Sequence, residues 1–170
     1  IKGVTVKDCT YRMYRDLRFS PDKTPYKTHL GAYICRGGKC SGFAGYYFHI
    51  EPDEAAYIGS NILAAGLHAP TPAQIKLVRE SILHDGDQFQ QVLTEASGFT
   101  HDKQYSLRRV PNGYPSDSPF APFFKLKDYS ISTPLSKEIL FGTNLLEYVL
   151  TEFQKTKNYN LFLNRIIEKS

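Results

Sequence analysis

The chain has 170 residues, 41% of them hydrophobic and 14% aromatic, a composition that excludes disorder and suits one domain over residues 1–170 whose core needs no disulfide staples. No apolar run reaches the roughly 20 residues that span a bilayer, so no membrane partner is expected. The net charge is +4, and the whole excess lies in residues 1–29, which hold seven Lys/Arg against three Asp while the remainder is balanced.

Residues 1–6 and 11–15 alternate polar and apolar side chains at period two and predict strands. After a turn at Ser20-Pro21-Asp22-Lys23, residues 28–35 and 42–50 predict two more, joined by Arg36-Gly37-Gly38-Lys39. Residues 55–59 predict a further strand after the break at Glu51-Pro52-Asp53-Glu54. The connections are too short for parallel crossovers, so the sheet is expected to be antiparallel.

The period then changes to 3.6. Thr71, Pro72 and Gln74 form a capping box that starts a helix with Ile75, Val78 and Ile82 on one face, and Gly86 is its expected left-handed end. A second helix is expected from Asp87, with Phe89, Val92, Leu93 and Ala96 inward. Residues 99–126 are rich in proline and read as loop, and 128–133 as one more strand. Ser136 caps a short helix and Thr143 a longer one, with Leu146, Val149, Leu150 and Phe153 expected on its buried face. Lys157-Asn158 separates it from a last helix bearing Leu163, Ile166 and Ile167. Strands early and helices late predict an α+β fold, with the helices of the C-terminal half on one face of an antiparallel sheet from the N-terminal half.

Cys9, Cys35 and Cys40 are odd in number and have no paired spacing. That excludes a four-thiolate zinc site and suits a reducing, cytoplasmic setting better than a disulfide framework. His29, His49, His68, His84 and His101 have no metal-ligand spacing, so neither a metal nor a cofactor is expected. Arg36-Gly37-Gly38-Lys39 lacks the ending of a phosphate-binding loop. The run from Gly42 to Phe48 has neither the spacing nor the element order of an RNA-recognition motif.

The densest polar chemistry runs from Arg12 to His29. Arg12, Arg15, Asp16, Arg18 and Phe19 fill a pattern R-x-x-R-D-x-R-F, and Asp22, Lys23 and Tyr26 fill a following D/N-K-x-x-Y. On these residues, and on Gly45-Tyr46-Tyr47, Glu51-Pro52, Pro111, Gly113, Tyr114, Pro119 and Leu163-Asn164-Arg165, the chain resembles an uncharacterised family of conserved bacterial proteins, a domain of unknown function. The resemblance implies a helical segment upstream of Ile1 and carries no activity with it.

Read physically, strand alternation puts Arg12, Tyr14 and Asp16 on one face and Tyr11, Met13 and Arg15 on the other. Met13 marks the second as a core face, so Arg15 is read first as a buried structural ion pair and second as a ligand contact. Arg12, Arg18, Lys23 and Lys27 are expected to form an anion site, since guanidinium forks and ammonium groups match phosphate and carboxylate oxygens. Tyr26 and His29 border it as ligand-binding candidates. The same alternation places Tyr47, His49 and Glu51 on one face. His49 and Glu51, with Asp16, are the candidate acid–base groups.

Three readings follow. The first is a binding site for a small anionic, phosphate-type ligand with His/Glu acid–base chemistry. The second is a nucleic-acid module in which Tyr14, Phe19 and Tyr26 stack on bases. The third is an architectural ion-pair motif in a protein-interaction domain.

Overall fold

The computed structural model describes residues 1–168 except 20, 22, 54–56, 103 and 105. Among the described residues five strands form one antiparallel sheet: β1 (Leu30–Cys35), β2 (Gly45–Ile50), β3 (Ile62–Leu67), β4 (Thr100–His101) and β5 (Tyr129–Pro134), in the order β1-β2-β3-β5-β4. The helices are α1 (Val6–Cys9), α2 (Pro72–His84), α3 (Gly86–Glu95), α4 (Ala121–Phe124), α5 (Lys137–Leu140), α6 (Leu145–Lys155) and α7 (Lys157–Ile167). The class is α+β, as the change of hydrophobic period predicts. Among the described residues no helix is long and apolar enough to cross a membrane.

Pairing in register decides what each face of the sheet carries. Ala32 faces Phe48, Phe48 faces Leu63, Tyr46 faces Ala65, and Ala65 faces Ile131. These side chains share one face, and Tyr46, Phe48, Leu63, Ala65 and Ile131 meet Val78, Ile82, Phe89, Phe153, Phe162 and Leu163 from the helices in a single core. On the other face, Gly31 stands opposite His49 and Tyr33 opposite Tyr47.

The α7 helix is fixed to β2 by amides rather than by packing alone. Asn164 accepts from the Ala44 N–H at 2.8 Å and donates to the Ala44 carbonyl at 3.0 Å, while Asn160 donates to the Gly45 carbonyl. Tyr159, fully buried, donates its hydroxyl to the Tyr129 carbonyl at 2.9 Å. Gly66 lets these layers close up: a Cβ there would lie 2.2 Å from the Tyr129 carbonyl oxygen, and its φ is +112°.

Several local expectations are corrected. Residues 1–6 and 11–15 are not strands. Instead Thr5 and Asp8 exchange hydrogen bonds that cap the single turn of α1, with the Thr5 N–H donating to Asp8 at 2.8 Å. The following segment makes only isolated pairings, Thr10 with Ala32 on the outer edge of β1 and Tyr14 with Tyr26 across its own hairpin. The strand expected at 55–59 begins outside the described residues, and Tyr57–Gly59 are bends. The third strand is Ile62–Leu67 instead. Gly86 opens α3 rather than ending α2, because Asp85 caps α3 by accepting from the Gln88 N–H and Phe120 fills the space where a side chain at 86 would go. The break before the last helix falls at Thr156, whose hydroxyl turns back onto the Phe153 carbonyl. On α6, Val149 and Phe153 face the core, whereas Leu146 and Leu150 are exposed.

Candidate functional site

The polar motif forms a two-armed hairpin attached at the outer edge of β1. The Arg15 N–H donates to the Pro25 carbonyl, and the Lys27 N–H to the Met13 carbonyl at 2.7 Å. Tyr11 anchors the hairpin to β1 by donating its N–H to the Gly31 carbonyl. Met13 is 52% exposed, so its expected core face does not exist, and Arg15 is half-buried, donating to the Thr24 hydroxyl at 2.7 Å.

Of the four cations of the expected anion site, Lys27 alone lines a cleft, while Arg12, Arg18 and Lys23 lie around Asp16 and Leu17. Arg18 forms a two-pronged ion pair with Asp16, both side chains largely exposed. The Lys23 ammonium donates to the Leu17 carbonyl at 3.0 Å, and Arg12 is exposed. Lys27 turns inward over the Tyr11 ring and lines a cleft of about 590 Å³ with Tyr26, Thr28 and His29. Asp22 lies outside the described residues.

That cleft opens where β1 begins and β2 ends. Leu30 and Ile50, opposite each other in register, form part of its wall, and Met13 closes the hairpin side. Leu140 and Phe141, at the end of α5, supply the far wall together with Pro52. An ion pair between Lys137 of α5 and Asp53 holds the helix against this corner. Leu140 and Phe141 carry no signal of this role in the sequence.

Behind the cleft lies a buried chain of polar groups. Glu51 lines the cleft, yet its residue is only 8% exposed. Burial alone would raise its carboxyl, but the Ile58 and Gly59 N–H groups and His49 outweigh that and hold it below the ordinary glutamate value. With Glu51 ionised, His49 Nε2 donates to it at 3.2 Å, and in the neutral ring Nδ1 accepts from the Tyr47 hydroxyl at 2.9 Å. Burial, with Tyr11, Tyr57 and Glu51 nearby, pushes the Tyr47 hydroxyl up to about 12. Gly31 makes room for this arrangement, since a Cβ there would stand 2.7 Å from the Tyr47 hydroxyl.

His29 links the buried chain to the cleft. Its ring stacks on Tyr57 at 3.9 Å between centroids and lies 5.4 Å from His49. Burial, His49 and Lys27 depress its basicity below that of ordinary histidine, so it is neutral at pH 7. The structure thus brings Tyr26, Lys27, His29, His49 and Glu51 together, and leaves Arg12, Asp16, Arg18 and Lys23 on the outer hairpin. Among the described residues, no group of three His, Cys, Asp or Glu side chains is placed to hold a metal ion.

Comparison with known proteins locates the chain without assigning an activity. No curated protein and no solved structure matches it. The family described as a conserved hypothetical protein, DUF2461, matches residues 1–162, and the chain belongs to that family.

Proposed function

We propose that this protein binds a small organic anion in the cleft between the hairpin and the end of β1 and β2. Lys27 meets the charge, and neutral His29 stands beside it as a proton acceptor. The observation that carries this reading is the lining itself: a concavity of ligand size, mostly apolar, with few polar groups, one of them cationic and one an imidazole whose basicity burial lowers. Glu51 does not oppose an anion strongly, because its carboxylate is already met by two backbone N–H groups and His49.

The test is a thermal-shift screen of carboxylates and phosphate esters at fixed ionic strength. A ligand that binds only the folded state, at 100 times its dissociation constant, stabilises by about 2.7 kcal/mol. Lys27→Met is expected to reduce the shift, and Arg18→Ala to leave it in place. A panel that shifts wild type and Lys27→Met equally rejects the cleft.

One observation favours a second reading. Tyr14 and Tyr26 lie with ring centroids 5.1 Å apart, each more than half exposed, and Phe19 is 94% exposed beside Arg18. Exposed rings among cations suit base stacking by single-stranded nucleic acid. Binding of a short RNA that weakens steeply with salt, and is lost in Tyr14→Ala/Tyr26→Ala but not in Lys27→Met, would assign the hairpin to that role.

A further inference from the structure

The walls of the cleft say more about the ligand than its charge does. Phe141, Met13 and Leu30 are 81%, 52% and 45% exposed, yet all three border one concavity. Large apolar side chains scattered singly over a surface need no explanation, but grouped around a ligand-sized cleft they form a surface that gains by being covered. Ile50 and Leu140 continue it.

The polar side is correspondingly sparse. Phosphate groups are held by several donors at once, whether guanidinium forks or successive backbone N–H groups. Here the forked Arg18 is engaged by Asp16, and Lys23 is engaged by a carbonyl of its own loop. Lys27 is the cation in the lining, which suits a single negative charge better than a di- or triphosphate. A fully polar ligand such as a sugar phosphate would leave the apolar walls wet.

Building on the cleft reading proposed above, we infer that the ligand is an amphiphilic monoanion: a carboxylate or similar head at Lys27 carrying an alkyl chain or ring that lies against Phe141, Leu140 and Met13. It is taken as a free monomer. One ammonium group in a recess serves one head group, whereas adsorption to an anionic bilayer draws on a broad cationic face.

Calorimetric titration with straight-chain alkanoates from acetate to decanoate, each below its micelle-forming concentration, tests the inference. Affinity is expected to rise about fourfold for each added methylene until the chain outgrows the cleft. Phe141→Ser, at an exposed position that the fold tolerates, is expected to flatten that rise without abolishing binding of the head. Lys27→Met is expected to weaken all chain lengths by a similar factor and leave the rise intact. Thermal unfolding of both variants checks that they are folded.

An affinity that does not depend on chain length, with acetate or inorganic phosphate still bound through Lys27, overturns the amphiphile and leaves the anion site standing. Absence of binding by every anion removes both. Co-flotation with phosphatidylglycerol vesicles while monomeric alkanoates give no heat also overturns the inference, and assigns the apolar rim to a bilayer.

Discussion

Phe19 and Phe89 are the same side chain in opposite circumstances. Phe19 is 94% exposed on the basic hairpin, near a guanidinium and little else, whereas Phe89 is fully buried among Phe123, Tyr129, Tyr159 and Phe162. The contrast extends to the segments that carry them. Among the described residues of the first 29, Cys9 alone is buried. That stretch is held by a few backbone hydrogen bonds to β1 and across its own hairpin. The core from β3 to α7 is held by packed rings and by the amides that dock α7. Regions with few buried contacts open at low free energy, and ligand-binding elements are drawn from them. The cleft lies where the two regimes meet, with a loosely held hairpin for one wall and a rigid sheet end for another.

The widest break in this contrast is expected at Phe89. Phe89→Ala should cost about 3–5 kcal/mol, read from the urea midpoint, because its four neighbouring rings and that of His101 cannot collapse into the space it leaves. A loss below about 1 kcal/mol would mean that the helical layer is not the stabilising half of the molecule.

The next effect is in acid. Burial holds His101 down to about 4, with its Nε2 3.0 Å from the Tyr159 hydroxyl. Tyr159 gives its own proton to the Tyr129 carbonyl, so the neutral His101 ring donates to it. A histidine that ionises near 6.5 when unfolded and near 4 when folded makes the unfolded chain the better proton acceptor between those values. Stability is therefore expected to fall by about 3 kcal/mol as pH drops from 6.5 to 4, and then to level off for this group. His101→Phe should remove that slope. His29 acts in the same direction, and Glu51 and Asp128, both held below their ordinary values, lose their contributions at still lower pH. A slope unchanged in His101→Phe would place the proton-linked group elsewhere.

The smallest effect is the most diagnostic for the hairpin. Phe19→Ala should leave the urea midpoint within about 0.5 kcal/mol of wild type, as surface changes usually do. A larger loss would show that the hairpin packs in solution against something other than the sheet.

What the sequence made legible follows the same division. The α2 helix is readable because its start is a local exchange among Thr71, Pro72 and Gln74. The alignment of Tyr47, His49 and Glu51 is readable because alternate residues of a strand share a face wherever the strand lies. The β3 strand escapes because Leu63 to Leu67 are buried on both faces and so show no alternation. In residues 1–15 the alternation is present, but a strand also needs a run of partners, and this stretch meets β1 only at Thr10 and Tyr11. The apolar walls at Leu140 and Phe141 depend on a contact across some ninety residues, for which neither period nor motif leaves a trace. That Lys27 lines the cleft while Arg12, Arg18 and Lys23 do not was equally hidden, since closeness in sequence does not fix where long side chains point.

The ends of the strand order carry a last consequence. An open sheet exposes unpaired N–H and C=O groups along its outer strands, and such rows invite pairing with another chain. At one margin, β4 has two residues, too few to template an added strand. At the other, Thr10 and Tyr11 lie against Ala32 and Gly31 and occupy part of the six-residue outer row of β1. The same short stretch that positions the basic hairpin is thus a guard against self-association, and a ligand that pulled the hairpin away would uncover a sticky strand as it bound.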